Sequence, residues 1–374
     1  MNETPLSSRL SDPARPVFLL GDVPPGEGTP PGKCQTICNK FMSRSRTLAS
    51  DGFIVYDIQD EPGRSDMDRP FPFRRVMDSS GYAALLSRSS GKQCLIYKCV
   101  ADPNFEEWLT KATTEHGHSS INLVGRASSE GKYQGPTISE AMALTAKETH
   151  FGCVCIAERH TLEAAAARGK QYPTEHLNML RKQKAGAEWF ISQAVYDPEP
   201  TIRLLKDYAA LCRESGVTPR KVVLTFAPVS RAKTINFIKW LGVKVPDETE
   251  KEILGAEKPV EKSVDLLCEM LKTILSECVG VGVPLGISCE SVSIFRAEID
   301  GVHELFRRLQ GILLDARGSP WKVHWVEVMP PAGSHNEDQQ LQQVNAVHTG
   351  LLGVALGGFL VATGIILGSG RKTR

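Results

Sequence analysis

No charge of one sign dominates this chain of 374 residues: 44 Lys and Arg stand against 43 Asp and Glu, a net charge of +1. A nucleic-acid-binding protein ordinarily shows a basic excess or a basic stripe; with neither, nucleic acid is not an expected partner. Cysteine is sparse. The ten cysteines include Cys34/Cys38, Cys94/Cys99 and Cys153/Cys155 but no Cys-x2-Cys pair, which excludes a disulfide scaffold and argues against structural zinc. They are expected to be reduced thiols packed as small apolar residues. No His/Asp run has metal-ligand spacing, no GxGxxG follows a strand, and there is no Ser nucleophile elbow or Walker lysine loop. No metal is therefore expected. The first residues, MNETPLSSRLSDPARP, lack the apolar stretch of a signal peptide, and 1–15 are expected to be a disordered lead-in.

Hydrophobic residues at 41% and charged residues at 23% are close to the globular average. Short β-rich apolar runs recur eight times, at about 17–23, 53–59, 94–100, 121–127, 152–158, 189–196, 221–228 and 283–290. Each is bounded by turn or polar residues, and helical patterns with apolar residues three and four apart separate them. The last interval is longer and holds an extra helix near Val260–Cys278. Eight buried strands alternating with helices predict a (β/α)8 TIM barrel over 16–330, with an open doubly wound sheet as the alternative.

Beyond a polar stretch at 331–347, Gly350 to Gly368 reads GLLGVALGGFLVATGIILG without a charge, followed by a basic end. Nineteen residues reach roughly 28 Å, enough for a bilayer core. Residues 348–370 are therefore expected to be a transmembrane tail anchor, with a buried glycine-rich helix or a disordered tail as the other readings. An anchor would place the barrel on the cytoplasmic face of an intracellular membrane, the mitochondrial outer membrane or the peroxisome; otherwise the chain is cytoplasmic. A homo-oligomer is compatible with the sequence.

In a barrel the chemistry lies at the C-terminal ends of the strands. Those ends offer Asp22; Asp57, Gln59, Asp60 and Glu61; Lys98 and Cys99; Gly125 and Arg126; Glu158, Arg159 and His160; Gln193, Tyr196 and Asp197; Pro228 and Ser230; and Glu290. Alternate positions face the interior, so about half are bystanders. Such a polar ring is costly unless it meets a ligand or its own members, and an organic cofactor or substrate fits best.

The run from Lys184 to Pro246 carries an Ala-Gly-Ala turn before the sixth strand, Gln193 on a strand ending Tyr-Asp, and Ala-Pro-Val-Ser after the seventh strand. Val-Lys-Val-Pro and Arg296-Ala297-Glu298 follow. As a constellation these resemble the methylenetetrahydrofolate reductase family, a flavin-containing (β/α)8 barrel, over roughly 120–310. The resemblance implies FAD contacts from Glu175, Asn178 and Lys182, which share a helix face that would otherwise read as solvated, and from His160 and Tyr133. It implies that Gln193 orients the folate pterin, an amide suiting bidentate hydrogen bonds, and that Arg296 meets the folate tail.

There are departures. The family's first strand reads Phe-Glu-Phe-Phe-Pro-Pro, with the glutamate as proton donor to the folate ring. Aligned on Pro24-Pro25, its place is Gly21, leaving Asp22 or Glu27 as the candidate acid. The family's Arg-Gly-Asp has become Val124-Gly125-Arg126, so Arg126 sets a positive charge beside the substrate, and the third-strand histidine is missing. The implied function is a flavin-dependent reductase. It would pass hydride from NAD(P)H through FAD to 5,10-methylenetetrahydrofolate, giving 5-methyltetrahydrofolate. The alternative is a catalytically silent, membrane-tethered barrel that binds a folate, a flavin or a partner protein.

Overall fold

The computed structural model describes residues 4–60, 65, 67–125, 134–144 and 148–316. Eight strands run in chain order: β1 (Phe18–Asp22), β2 (Gly52–Val55), β3 (Cys94–Cys99), β4 (Ser120–Val124), β5 (His150–Cys155), β6 (Trp189–Ala194), β7 (Lys221–Phe226) and β8 (Leu285–Cys289). All neighbours pair in parallel, and β8 returns to β1 with Leu20 opposite Cys289, closing the barrel. The expected (β/α)8 architecture is the observed one.

Helices α1 (Leu6–Ser11), α2 (Pro31–Ser45), α3 (Ser79–Ser90), α4 (Phe105–Thr114), α5 (Ile138–Ala143), α6 (Leu162–Ala166) and α7 (Glu175–Ala185) occur in the first part of the chain. The second part has α8 (Pro198–Glu214), α9 (Ala232–Trp240), α10 (Asp247–Leu254), α11 (Pro259–Glu277) and α12 (Arg296–Ala316). Local chemistry fixes several starts. Asp78 caps α3 by accepting from Ser80 N and Gly81 N, Thr137 and Glu140 form a capping box on α5, and Pro198 and Pro259 open α8 and α11. The extra helix expected near Val260–Cys278 is α11.

Two apolar layers follow from strand alternation. Phe18, Leu20, Val55, Ile96, Leu123, Cys153, Phe190, Leu224 and Ile287 point outward and pack with the helices. Leu19, Ile54, Leu95, Trp189, Ile191 and Val223 fill the interior. Trp189 lies across the barrel because β5 has a glycine there: a Cβ on Gly152 would sit 1.9 Å from the indole Nε1. All ten cysteines are free and eight are buried, and burial raises Cys153 and Cys268 to about 11 and Cys94 to about 12. They are packing residues, as expected.

The lead-in departs from expectation. Instead of being disordered up to residue 15, the chain forms α1, which plugs the interior with Leu6 and Leu10, 2% and 0% exposed. Leu6 N donates to Gln93 Oε1 at 2.6 Å, Ser11 Oγ to Glu188 at 2.8 Å, and Lys221 Nζ to the Arg9 carbonyl. Six residues with two leucines carry too little periodicity to read as a helix, and tertiary burial supplies what local propensity lacks. Among the described residues no helix is long and apolar enough to cross a membrane. The 331–347 linker and 348–370 anchor lie outside them.

Leu10→Ala should cost about 2–4 kcal/mol, read as a lower urea midpoint with an unchanged slope. An unchanged midpoint would mean that α1 is not part of the core.

Candidate active site

The C-terminal mouth of the barrel is built from the inward positions that follow the apolar interior layers. On β1 that position is Gly21. A Cβ there would lie 2.8 Å from the Tyr56 ring and 2.9 Å from Glu290 Cβ, so two neighbouring side chains already fill the space. Tyr56 follows β2 and Glu290 follows β8, and the phenol and the carboxyl stand beside one another over Gly21. Tyr97 stands edge-on to Tyr56 with ring centroids 4.9 Å apart. Burial raises the Glu290 carboxyl above its ordinary range, the neighbouring Tyr56 hydroxyl opposing this, and it raises both phenols well above theirs, helped by the charge of Glu290. The mouth thus holds a carboxyl group that keeps its proton to higher pH than a free glutamate.

Gln193 reaches the same mouth from β6. The β6–β7 register shifts between Ile191 and Ala194. Ser192 fills the irregularity, accepting from Thr225 N at 2.9 Å, and a local bulge of this kind re-aims the next side chain. The Gln193 amide donates to the Leu241 carbonyl at 3.4 Å. Leu241 ends α9, which is tied to the loop after β2 by aromatic contacts: Phe71 meets Phe237, Phe237 stacks on Trp240, and Arg69 lies 4.6 Å over the Trp240 ring. These contacts cross the β1 and β8 side of the mouth. Glu158, after β5, is a further carboxyl at the strand ends, pushed to about 7 by burial, with the charge of Asp197 adding to the rise.

The two acids chosen from the sequence do not join this group. Asp22 points outward into the helix layer, where it accepts from the Tyr82 hydroxyl of α3 at 2.8 Å and from Val23 N at 3.0 Å. The strand does not bulge there, so the one-residue offset from Gly21 sends the side chain to the other face. Glu27 is exposed in the following loop, where backbone bonds pair the chain with Arg75 and Val76. Arg296 opens α12 with its side chain 84% exposed and ion-paired to Asp300 at 3.4 Å. Arg126 and Tyr133 lie outside the described residues.

Of the expected flavin contacts, the α7 trio stays together and His160 lies apart from it. Glu175, Asn178 and Lys182 do share one face of α7, but that face is turned onto β5. Lys182 Nζ donates to the Val154 carbonyl at 2.7 Å, while Glu175, 2% exposed, accepts from Ile156 N at 3.2 Å and from Asn178 at 3.1 Å. His160 is fully buried away from the mouth, bonded to Asp207 and packed on His176. In this structure the described side chains of this group bond to β5, to one another and to α8.

A family model for methylenetetrahydrofolate reductase matches residues 148–283. The stretch from β5 to β7 is similar to methylenetetrahydrofolate reductase. The match covers β6 with Gln193 and the α7 trio, and stops short of Glu290. An uncharacterized protein from Clostridium thermocellum, described as binding two copies of 5-methyl-5,6,7,8-tetrahydrofolic acid, is 26% identical, with a TM-score of 0.66 over 79% of this chain and 96% of that one. A Xanthomonas albilineans dihydropteroate synthase with 4-aminobenzoic acid is 12% identical at a TM-score of 0.39, covering 80% and 94% of the two chains; that likeness carries no functional argument. No curated protein matches the chain. The family model does not extend to β1–β4, where Gly21 lies.

Glu290 was legible as a strand end, but nothing in the sequence ranked it above its neighbours. Tyr56 and Tyr97 were missed; two-residue alternation from Ile54 and Leu95 would have placed both inside.

Two measurements check this arrangement. Gly21→Ala should cost about 1–3 kcal/mol by overpacking, although the added methyl is apolar and small; an unchanged midpoint in denaturant would contradict the tight contact. Asp22 is raised from 3.8 to about 7 by burial, against the opposing bonds from Tyr82 and Val23. A native acid that holds its proton more tightly than the unfolded one adds stability that is full below about pH 4 and is lost as pH rises to about 7. Asp22→Asn should therefore flatten the melting-temperature profile between those values and gain most above pH 7. A profile parallel to wild type would show that Asp22 is not buried as described.

Proposed function

We propose that the barrel mouth binds a reduced folate, with the pterin edge between the Gln193 amide and the Glu290 carboxyl and the ring against Tyr56 and Tyr97. The observation that carries this is Glu290: an inward carboxyl of raised pKa, beside the glycine where the strand-one acid would stand, on the same ring of side chains as Gln193. The methyltetrahydrofolate-binding relative supports the ligand class, and the family match supports the assignment of Gln193. An amide supplies one donor and one acceptor side by side, and a carboxyl donates when protonated and accepts when ionised. Together they meet the alternating donor and acceptor groups of a pterin edge.

The same arrangement bears on catalysis. Reduction of 5,10-methylenetetrahydrofolate requires a proton at a ring nitrogen so that the methylene bridge can open, and Glu290 is the group of this chain suited to hold and deliver it. The closed face of α7 favours folate binding without tightly held FAD. The flavin-dependent reductase using NAD(P)H is the second reading, favoured by the Glu290 proton and the family match. Tethering to a membrane through residues 350–368 is compatible with either reading.

Titration calorimetry of the full chain with 5-methyltetrahydrofolate tests the proposal. Saturable binding is expected, with Gln193→Ala and Glu290→Gln each weakening it by roughly tenfold, the scale of one buried hydrogen bond. Absence of binding, or affinity indifferent to both substitutions, would overturn it. A flavin absorbance band in the purified chain, with NAD(P)H-dependent folate reduction that Glu290→Gln abolishes, would favour the reductase reading.

A further inference from the structure

The helix layer beside β5 holds a cluster that folate binding does not use. His160, just past the 3-10 turn Ala157–Arg159, His176 in the first turn of α7 and Asp207 within α8 each offer one ligand atom, all within 4.8 Å of one another. His160 is fully buried, its Nε2 is 2.9 Å from Asp207 Oδ2, and its ring stands edge-on to His176 with centroids 4.9 Å apart. Nδ1 of His160 and Nδ1 of His176 are both buried with no hydrogen-bond partner.

Two orphaned imidazole nitrogens at one place are unusual, because a desolvated polar atom without a partner is costly. The Asp207 bond satisfies only one of the two nitrogens of His160. A neutral imidazole carries a single N–H, so with Nε2 bonded to Asp207 the other nitrogen of His160 is left as an acceptor with no donor facing it.

Two imidazoles and a carboxylate are the donor set of a borderline transition-metal ion, whereas magnesium and calcium take oxygen ligands. Bonds of about 2.0–2.2 Å around a tetrahedral ion separate its ligand atoms by roughly 3.3 Å. His160 Nε2 already stands 2.9 Å from Asp207 Oδ2, near that separation, so Nε2 is the His160 ligand atom, and the unpartnered Nδ1 of His176, half-buried at the start of its helix, has a short way to close. The Asp207 side chain is 49% exposed, which leaves an entry path and an outward position for water.

We propose that His160, His176 and Asp207 bind one zinc-class divalent ion, which clamps the end of β5 to α7 and α8. Three ligands 16 and 31 residues apart in sequence, on three elements, form no spacing motif. The clamp would hold α7 and α8 against the end of β5, so its role is structural.

The test is a cobalt titration of the metal-stripped full chain, followed by zinc displacement. Cobalt in a site with nitrogen and oxygen ligands gives visible d–d bands, and bands that include thiolate charge transfer would instead report cysteine. One equivalent should saturate the bands, zinc should abolish them, and zinc should raise the melting temperature, as any ligand of the native state does. His176→Gln and Asp207→Asn, both at the accessible side of the cluster, should each weaken binding by at least roughly tenfold, the scale on which even outer partners of a metal ligand act. They should also remove the zinc-induced shift while leaving the far-ultraviolet spectrum native. No saturable binding, thiolate bands, or binding that survives both substitutions would overturn the site.

Discussion

The site depends on one steric constraint, the absence of room for a side chain at Gly21. Strand β1 pairs with β8 so that Leu20 is opposite Cys289, which sets Gly21 level with Glu290. At Gly21 this barrel has only backbone, and Tyr56 and Glu290 close over it. The carboxyl is delivered one strand away at the same height. Parallel pairing makes this exchange geometrically simple: neighbouring strands present equivalent inward positions around the ring, and a group moved from one to the next keeps its depth.

The same alternation explains the fate of Asp22. Side chains on one strand cannot share a face with their immediate neighbours, so an acid displaced by one residue enters the helix layer and meets Tyr82 instead of the mouth. Burial there raises its pKa to about 7. A perturbed pKa alone would have recommended Asp22 as a functional acid; its direction on the strand excludes it.

Helix α7 shows how a polar helix face can satisfy itself against the barrel wall. Glu175, Asn178 and Lys182 keep the spacing of a ligand-binding face, and the structure does bring them together. Their hydrogen bonds go to Ile156 N, the Val154 carbonyl and one another, which fastens the helix to strand β5. A polar face that satisfies itself against the barrel wall is stable without a ligand. The adjoining face of the same layer, with His160 and His176, is the one that leaves buried nitrogen atoms unanswered.

The eight strands were legible because each is a short β-rich run buried on both faces, a signal that is local and repeated. Gln193 was legible because it sits in a distinctive local motif. Helix α1 was not, since six residues hold no period long enough to read and their stability comes from the barrel interior. Glu290, Tyr56 and Tyr97 share a site although they lie at the ends of three strands far apart in the chain, and the His160, His176 and Asp207 cluster likewise has no sequence spacing to betray it. The sequence by itself determined the barrel and the packing role of its cysteines, because hydrophobic period and residue identity are properties of neighbours along the chain. Only the tertiary structure decided which carboxyl faces the mouth and where the α7 face points, because closure of the ring and the inward or outward sense of each strand position are settled by contacts between distant segments.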